Sequence, residues 1–158
     1  MTKEELLGRL SEAHDDLLIA TDAAVTRGDP HVEDGWGVRE TLAHIAAWQT
    51  EATGRIPAIA AGAEPREYDD DAFNRAAVAA CGDRPLHAVR DDLERAHARL
   101  VALLDGLDEV LFAPDGTAYE WVTALTAHSR STGGRCSAAP PTPRAPNRDR
   151  HGPDQHTY

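Results

Sequence analysis

Apolar side chains recur at helical spacing along most of this chain and then stop. Between Leu86 and Leu104, a leucine, valine or alanine returns every three or four residues, which is the period of an amphipathic α-helix. From Thr126 to Tyr158 the sequence contains no Leu, Ile, Val, Phe, Met or Trp, and five of its ten prolines lie there. We therefore expect a packed helical core before this point and not after it.

The first half of the chain predicts two helices. Thr2 followed by Glu5 is a capping-box pattern, and it opens a helix that we expect to run from Lys3 to Val25. A second helix is expected to begin near Val38 and to bend or end near Pro57, because proline removes a backbone donor.

The second half predicts a third helical region and a fourth helix. The third opens at Asp69, is interrupted at Gly82 and restarts at Pro85, which suits a first helical turn. The fourth opens with a second capping-box pattern, Thr117 with Glu120. No alternation long enough for a strand is present.

These elements predict an all-α fold, an antiparallel four-helix bundle with a shortened fourth helix. We assign residues 1–132 to the bundle. Residues 133–158 are rich in Pro, Ala and Arg, and we expect them to form a low-complexity, disordered tail.

Charge and cysteine content exclude several classes of function. The formal net charge is −11, and an acidic domain is a poor surface for phosphate backbones, so nucleic-acid binding is not expected. No apolar run is long enough to span a membrane, and Met1 leads directly into charged sequence without a signal peptide. Two cysteines without a CxxC motif fit a reducing cytoplasm. A homodimer through the faces of the bundle stays open.

Histidines are the side chains that carry candidate chemistry. His44 lies on an alanine-rich face of the second helix, and His128 lies on the fourth helix. From the residues alone, a half-buried structural histidine is the favoured interpretation of His44. His14 and His97 fall inside apolar patterns and are interpreted as residues at the edge of the core.

The segment Asp34-Gly-Trp-Gly-Val-Arg-Glu-Thr-Leu-Ala-His-Ile-Ala-Ala-Trp48 resembles the entry into helix two of the DinB/YfiT-like four-helix-bundle superfamily. Asp71-Ala-Phe-Asn74 and the segments 83–86 and 96–104 are similar to the ClbS/DfsB branch of that superfamily. Related domains form the N-terminal part of mycothiol-dependent maleylpyruvate isomerases. The resemblance covers roughly residues 1–130.

This resemblance implies a metal site with one histidine from helix two and a His-x-x-x-His pair from helix four. His44 and His128 match the first two ligand positions, and Thr132 stands at the third. The metal implied is divalent, zinc or nickel, and the implied cofactor is a low-molecular-weight thiol such as mycothiol. The departure at Thr132 predicts an incomplete site, because two imidazoles bind a metal weakly unless Glu51, an aspartate or water joins them.

Three functions are compatible with these residues, and the first two involve a small-molecule ligand. The first is a metal-dependent, thiol-using transferase or isomerase, with His44 and His128 holding the metal. The second is a metal-free, ClbS-like protective protein that binds or hydrolyses a reactive small molecule in the cavity of the bundle. The third is an inactive structural remnant of such a protein.

A shifted reading frame near residues 129–131 would explain both the lost apolar pattern and the lost third ligand. A low-complexity sequence rich in Pro, Ala and Arg is what an out-of-frame reading of GC-rich DNA gives. The rival hypothesis is a natural tail that follows a truncated helix. Sequencing the gene across the codons for Ala127 to Gly134 separates the two, because an unchanged frame contradicts the first.

Overall fold

The computed structural model describes residues 1–28 and 36–137, and this part of the chain contains five α-helices and no strand. Helix α1 runs from Lys3 to Arg27. The predicted capping box is present: the Glu5 backbone N–H donates to Thr2 Oγ1 (3.1 Å), and the Thr2 backbone N–H donates to Glu5 Oε2 (2.7 Å). Gly28 ends the helix in the left-handed region at φ 74°, where glycine is favoured. None of the described helices is both long and apolar enough to cross a bilayer.

Helix α2 spans Val38–Ala60 and continues through Pro57, where the sequence predicted a bend or an end. Proline lacks only its own N–H, and the Pro57 carbonyl still accepts from the Ala61 backbone N–H at 3.0 Å, so the last turn closes. The predicted interruption of the third region is confirmed. It separates α3 (Asp70–Cys81), which Asp69 caps, from α4 (Leu86–Asp105), which Pro85 precedes.

A 3-10 turn at Glu109–Phe112 leads into α5, which spans Thr117–Ser137. Thr117 lies inside this helix rather than at its cap, because Gly116 supplies the turn before it. A Cβ atom at Gly116 would lie 2.2 Å from the Leu111 carbonyl oxygen, so this turn requires glycine.

The end of α5 lies at Ser137, past Thr132, where the loss of apolar residues predicted the domain boundary. Thr132 and Cys136 are buried despite their small size. A Cβ at Gly133 would stand 3.6 Å from Leu17 Cα, so small residues let α5 approach α1 closely. The helix therefore persists through close packing rather than through large apolar side chains. The predicted tail from residue 138 onward lies outside the described residues.

The all-α bundle is confirmed, and its helices run in an up-down-down-up order. Lys3 Nζ donates to the Asp105 and Leu107 carbonyl oxygens (2.6 and 2.8 Å), so α1 starts where α4 ends. Arg27 donates to the Cys136 carbonyl oxygen at 2.6 Å, so α1 and α5 end together. The antiparallel relation thus holds between the pair α1 and α5 and the pair α2 and α4, whereas the helices within each pair are parallel. The segment containing α3 returns the chain between α2 and α4.

The core consists of two apolar clusters, one at each end of the bundle. The cluster near the ends of α1 and α5 includes Leu17, Leu42, Ile45 and Leu93. The opposite cluster includes Leu10, Ile56, Leu100, Phe112 and Val122. Both clusters hold side chains from α1, α2 and α4, so the same helices are fixed at both ends.

A stacked pair of histidines joins α1 to α4. The rings of His14 and His97 lie 3.8 Å apart between centroids and are parallel within 1°. Among the described residues, neither Nδ1 atom has a hydrogen-bond partner. Burial, then the neighbouring His14 ring, lower the pKa of His97 to about 4, and burial likewise lowers the pKa of His14. The stack is therefore neutral at neutral pH.

We expect acid to destabilise the bundle through this stack. The ordinary histidine pKa of 6.5 applies to the unfolded chain, which binds more protons than the folded chain between pH 6.5 and about 4. The free energy of unfolding is therefore highest above pH 6.5, and it decreases as the pH falls from 6.5 to about 4. Because His97 is only half-buried, we expect its contribution at pH 4 to be about 1–2 kcal/mol after solvent screening.

Chemical unfolding of His97→Leu between pH 4 and 8 checks this expectation, since leucine keeps the apolar contact and cannot titrate. The variant should show a flatter pH dependence of the free energy of unfolding. His87→Leu, which changes an exposed histidine outside the stack, is the matched control. An equal loss of stability in acid for wild type and His97→Leu would contradict the expectation.

Candidate functional site

The two predicted site histidines meet between α2 and α5. His44 Nε2 and His128 Nε2 lie 3.0 Å apart, within hydrogen-bonding distance. Only one of the two facing nitrogens carries the proton in such a bond, so at least one ring is neutral. These residues lie 84 positions apart in the sequence, and the antiparallel packing of α5 against α2 brings them together.

Burial makes His44 a poor proton acceptor. The side chain is 2% exposed, and the Trp36 ring lies over it at 5.2 Å between centroids. Burial first, and the His128 ring second, lower the pKa of His44 to about 4. The carbonyl groups of Thr41 and Glu40 oppose this shift, yet His44 Nδ1 makes no hydrogen bond of normal geometry within the described part of the chain. His128 is less buried and is the more accessible ring of the pair.

The third ligand position of the implied metal site is filled by a residue that does not fit it. Thr132 lies one turn beyond His128, is fully buried, and accepts a hydrogen bond from Arg135 Nη2 at 3.2 Å. Within residues 1–28 and 36–137, no group of three His, Cys, Asp or Glu side chains is placed to hold a metal ion. The resemblance implies three imidazole ligands, and only His44 and His128 are present. The Thr132 hydroxyl does not replace the third ligand, because it already accepts a hydrogen bond from Arg135.

Glu51, the carboxylate considered as a further ligand, makes other contacts. Its Oε1 atom accepts from the Tyr68 hydroxyl at 2.7 Å and pairs with Arg66 at 3.4 Å. Burial, then the hydrogen bond to Glu51, raise the pKa of Tyr68 to about 12, so this phenol keeps its proton. Glu51 therefore positions an aromatic ring.

An aromatic cavity of about 510 Å³ opens beside His128. Three aromatic side chains form its walls: the Tyr68 ring makes edge contacts with Trp48 at 5.1 Å and with Trp121 at 6.1 Å. An apolar enclosure with a few polar groups is the usual form of a small-molecule site. The lining comprises Trp48, Pro65, Arg66, Tyr68, Asp70, Asn74, Glu120, Trp121, Ala124, Leu125 and His128.

Helix α3 covers this region and is fixed to α2 through Trp48. The Trp48 indole Nε1 donates to Asn74 Oδ1 at 2.8 Å, and the Trp48 and Phe73 rings stack at 4.0 Å. Trp48 thus has two roles, because it packs against the core of the bundle and its ring also lines the cavity. Reasoning from periodicity missed Tyr68 and Trp121, since a lone aromatic carries no spacing signal.

A second, polar cavity of about 460 Å³ lies on the other side of the histidine pair. His128 and Asn74 line both cavities, whereas His44 lines only the polar one. The lining of the polar cavity comprises Trp36, His44, Asp71, Asn74, Arg75, His128 and Arg135. The two histidines therefore stand where an aromatic and a charged environment meet.

Comparison with known proteins identifies a family over most of the chain. The family model described as DinB superfamily matches residues 2–131. Neither the search of curated proteins nor the search of solved structures found a match. The match ends within one residue of Thr132, so it covers His44 and His128 and stops before the last turn of α5.

We expect the hydrogen bond between Trp48 and Asn74 to hold α3 over the cavity. Asn74→Leu keeps the branched shape of the side chain but leaves the indole N–H without its acceptor, which should lower the free energy of unfolding by about 1–3 kcal/mol. Asn74→Asp keeps an oxygen acceptor and is the matched control. Denaturant unfolding followed by tryptophan emission measures both, and equal stability of the two variants would show that this bond has no structural role.

Proposed function

Because the chain belongs to the DinB superfamily, we propose that it binds a small apolar molecule in the aromatic cavity and acts on it through the histidine pair. One observation carries the proposal: His128 stands at the wall of a cavity lined by Trp48, Tyr68 and Trp121 and is hydrogen-bonded to His44. Aromatic walls bind an apolar molecule, and the imidazole supplies a proton acceptor at its edge.

The proposed reaction is hydrolysis of a reactive group without a metal. A neutral imidazole near the substrate accepts a proton from water as the water oxygen attacks the electrophilic carbon. The bond from that carbon to the leaving group then breaks, and the imidazolium returns the proton to the leaving group. His128 is the imidazole that lines the aromatic cavity. His44, which does not line this cavity, fixes the orientation of the His128 ring through the 3.0 Å contact between their Nε2 atoms. Thr132 supports the metal-free form of the proposal, because the ligand set for a metal-activated water is incomplete.

A second candidate, the metal-dependent thiol-using transferase or isomerase, is favoured by the convergence of the two Nε2 atoms. These are the atoms that would hold zinc or nickel, and a metal there would lower the pKa of a bound thiol or water. The ClbS/DfsB branch, the mycothiol link, the homodimer and the cytoplasmic location stay predictions. An inactive remnant is the outcome if the binding and turnover experiments below both fail.

Filling the aromatic cavity should abolish binding. Ala124 is exposed on α5 and lines the cavity, so Ala124→Phe places a ring there without disturbing the core. We expect the affinity for the neutral probe phenylnaphthylamine, measured by its fluorescence, to fall at least about tenfold. Ala127→Phe, on an exposed position of the same helix that does not line the cavity, is the control.

His44→Ala should keep the affinity for phenylnaphthylamine, because His44 does not line the aromatic cavity.

Equal affinity of wild type and Ala124→Phe for phenylnaphthylamine, or failure of the wild-type protein to bind it, would contradict the assignment of this cavity.

His128→Gln should remove turnover and keep binding. Glutamine retains a polar side chain but does not accept the proton, so the rate of hydrolysis of an activated nitrophenyl ester should fall by about a hundredfold. Phenylnaphthylamine binding by the same variant is the control for an intact cavity. Hydrolysis that persists in His128→Gln would refute the role of this imidazole.

Restoring the third ligand tests the metal candidate. Thr132→His creates a His-x-x-x-His pair beside His44, and we expect its zinc affinity, measured by calorimetric titration, to exceed the wild-type value by more than about a hundredfold. Insertion of a larger ring at this buried position should lower stability by about 1–3 kcal/mol. Thr123→His, on an exposed position of α5, is the control. Tight zinc binding by the wild-type chain that His44→Ala abolishes would instead show that His44 and His128 suffice.

A further inference from the structure

The polar cavity concentrates positive charge in an acidic chain. The formal net charge of the protein is −11, yet among the described residues the charged side chains that line this cavity are two arginines, Arg75 and Arg135, and one acid, Asp71. The surrounding acidic surface repels anions in general, so a local excess of guanidinium groups is a specific feature.

The two guanidinium groups have different surroundings. Arg135 is held by hydrogen bonds to Ser131 Oγ at 2.7 Å and Thr132 Oγ1 at 3.2 Å, which fix it on α5. Arg75 lies on the exposed face of α3 and makes no ion pair with any residue in the described ranges. The lining thus includes one anchored guanidinium, Arg135, and a second, Arg75, whose donors are available to a ligand.

We propose that the polar cavity binds the carboxylate of an apolar acid whose ring occupies the aromatic cavity. This rests on the proposed function, since it extends the ligand of the aromatic cavity past Asn74 and His128, which line both cavities. A guanidinium group presents paired donors that match the two oxygens of a carboxylate. Arg75 offers one guanidinium group to a ligand, and Asp71 lies four residues before it on α3, so this part of the lining suits a monoanion better than a doubly charged phosphate monoester.

Naphthylacetate and naphthylacetamide test this assignment, because they have nearly the same shape and differ in charge. We expect the wild-type protein to bind naphthylacetate about tenfold more tightly than naphthylacetamide in calorimetric titrations at low salt. Arg75→Gln should abolish this difference by weakening only naphthylacetate. Arg99→Gln, an equal change of charge at an exposed α4 arginine outside both cavities, should preserve it.

Asp71→Asn tests the same site independently, because it should change the affinity for naphthylacetate in the direction opposite to Arg75→Gln. Removal of the acid should tighten naphthylacetate binding and leave naphthylacetamide unchanged. A difference between the probes that survives Arg75→Gln but disappears in Arg66→Gln would place the carboxylate at the rim of the aromatic cavity and overturn the inference.

The failures of the two proposals are distinguishable. Equal wild-type affinity for both probes would overturn the carboxylate site and leave binding in the aromatic cavity intact. Binding of neither probe, together with no binding of phenylnaphthylamine, would overturn the proposed function and the inference with it.

Discussion

Helix α2 packs against α3, α4 and α5, and the rest of the structure depends on the packing around this helix. Its apolar residues enter both core clusters, with Leu42 and Ile45 in one and Ile56 in the other. A helix that is buried on several sides loses most of its freedom to rotate about its axis. The orientation of its polar positions is therefore fixed by the core, and this directs His44 towards α5 and Trp48 towards α3.

The site combines neighbouring side chains whose environments differ strongly. His44 is buried and uncharged at neutral pH, whereas His128 borders open space on two sides. Trp48, one turn after His44, exposes its ring to the aromatic cavity while its N–H is held by Asn74. This arrangement separates an aromatic cavity from a charged one and places the His128 imidazole between them.

Much of the fold followed from local patterns in the sequence. The capping box at Thr2, the break at Gly82 and the restart at Pro85 involve neighbouring residues, so their signals are local and were interpreted correctly. The extension through Pro57 and the end at Ser137 were not predicted, because each depends on packing. Small residues such as Gly133 carry no apolar signal, yet they allow the close approach of α1 and α5.

The sequence by itself determined the helical elements, the acidic charge and, through the resemblance, the pairing of His44 with His128 and the departure at Thr132. Only the tertiary structure decided the parallel course of α1 and α5, the stack of His14 on His97, and the two cavities that share Asn74 and His128. The physical reason is that helix formation and capping depend on residues within one or two turns. A cavity, by contrast, is the space left between side chains from distant parts of the chain, and its shape is set only when the helices pack.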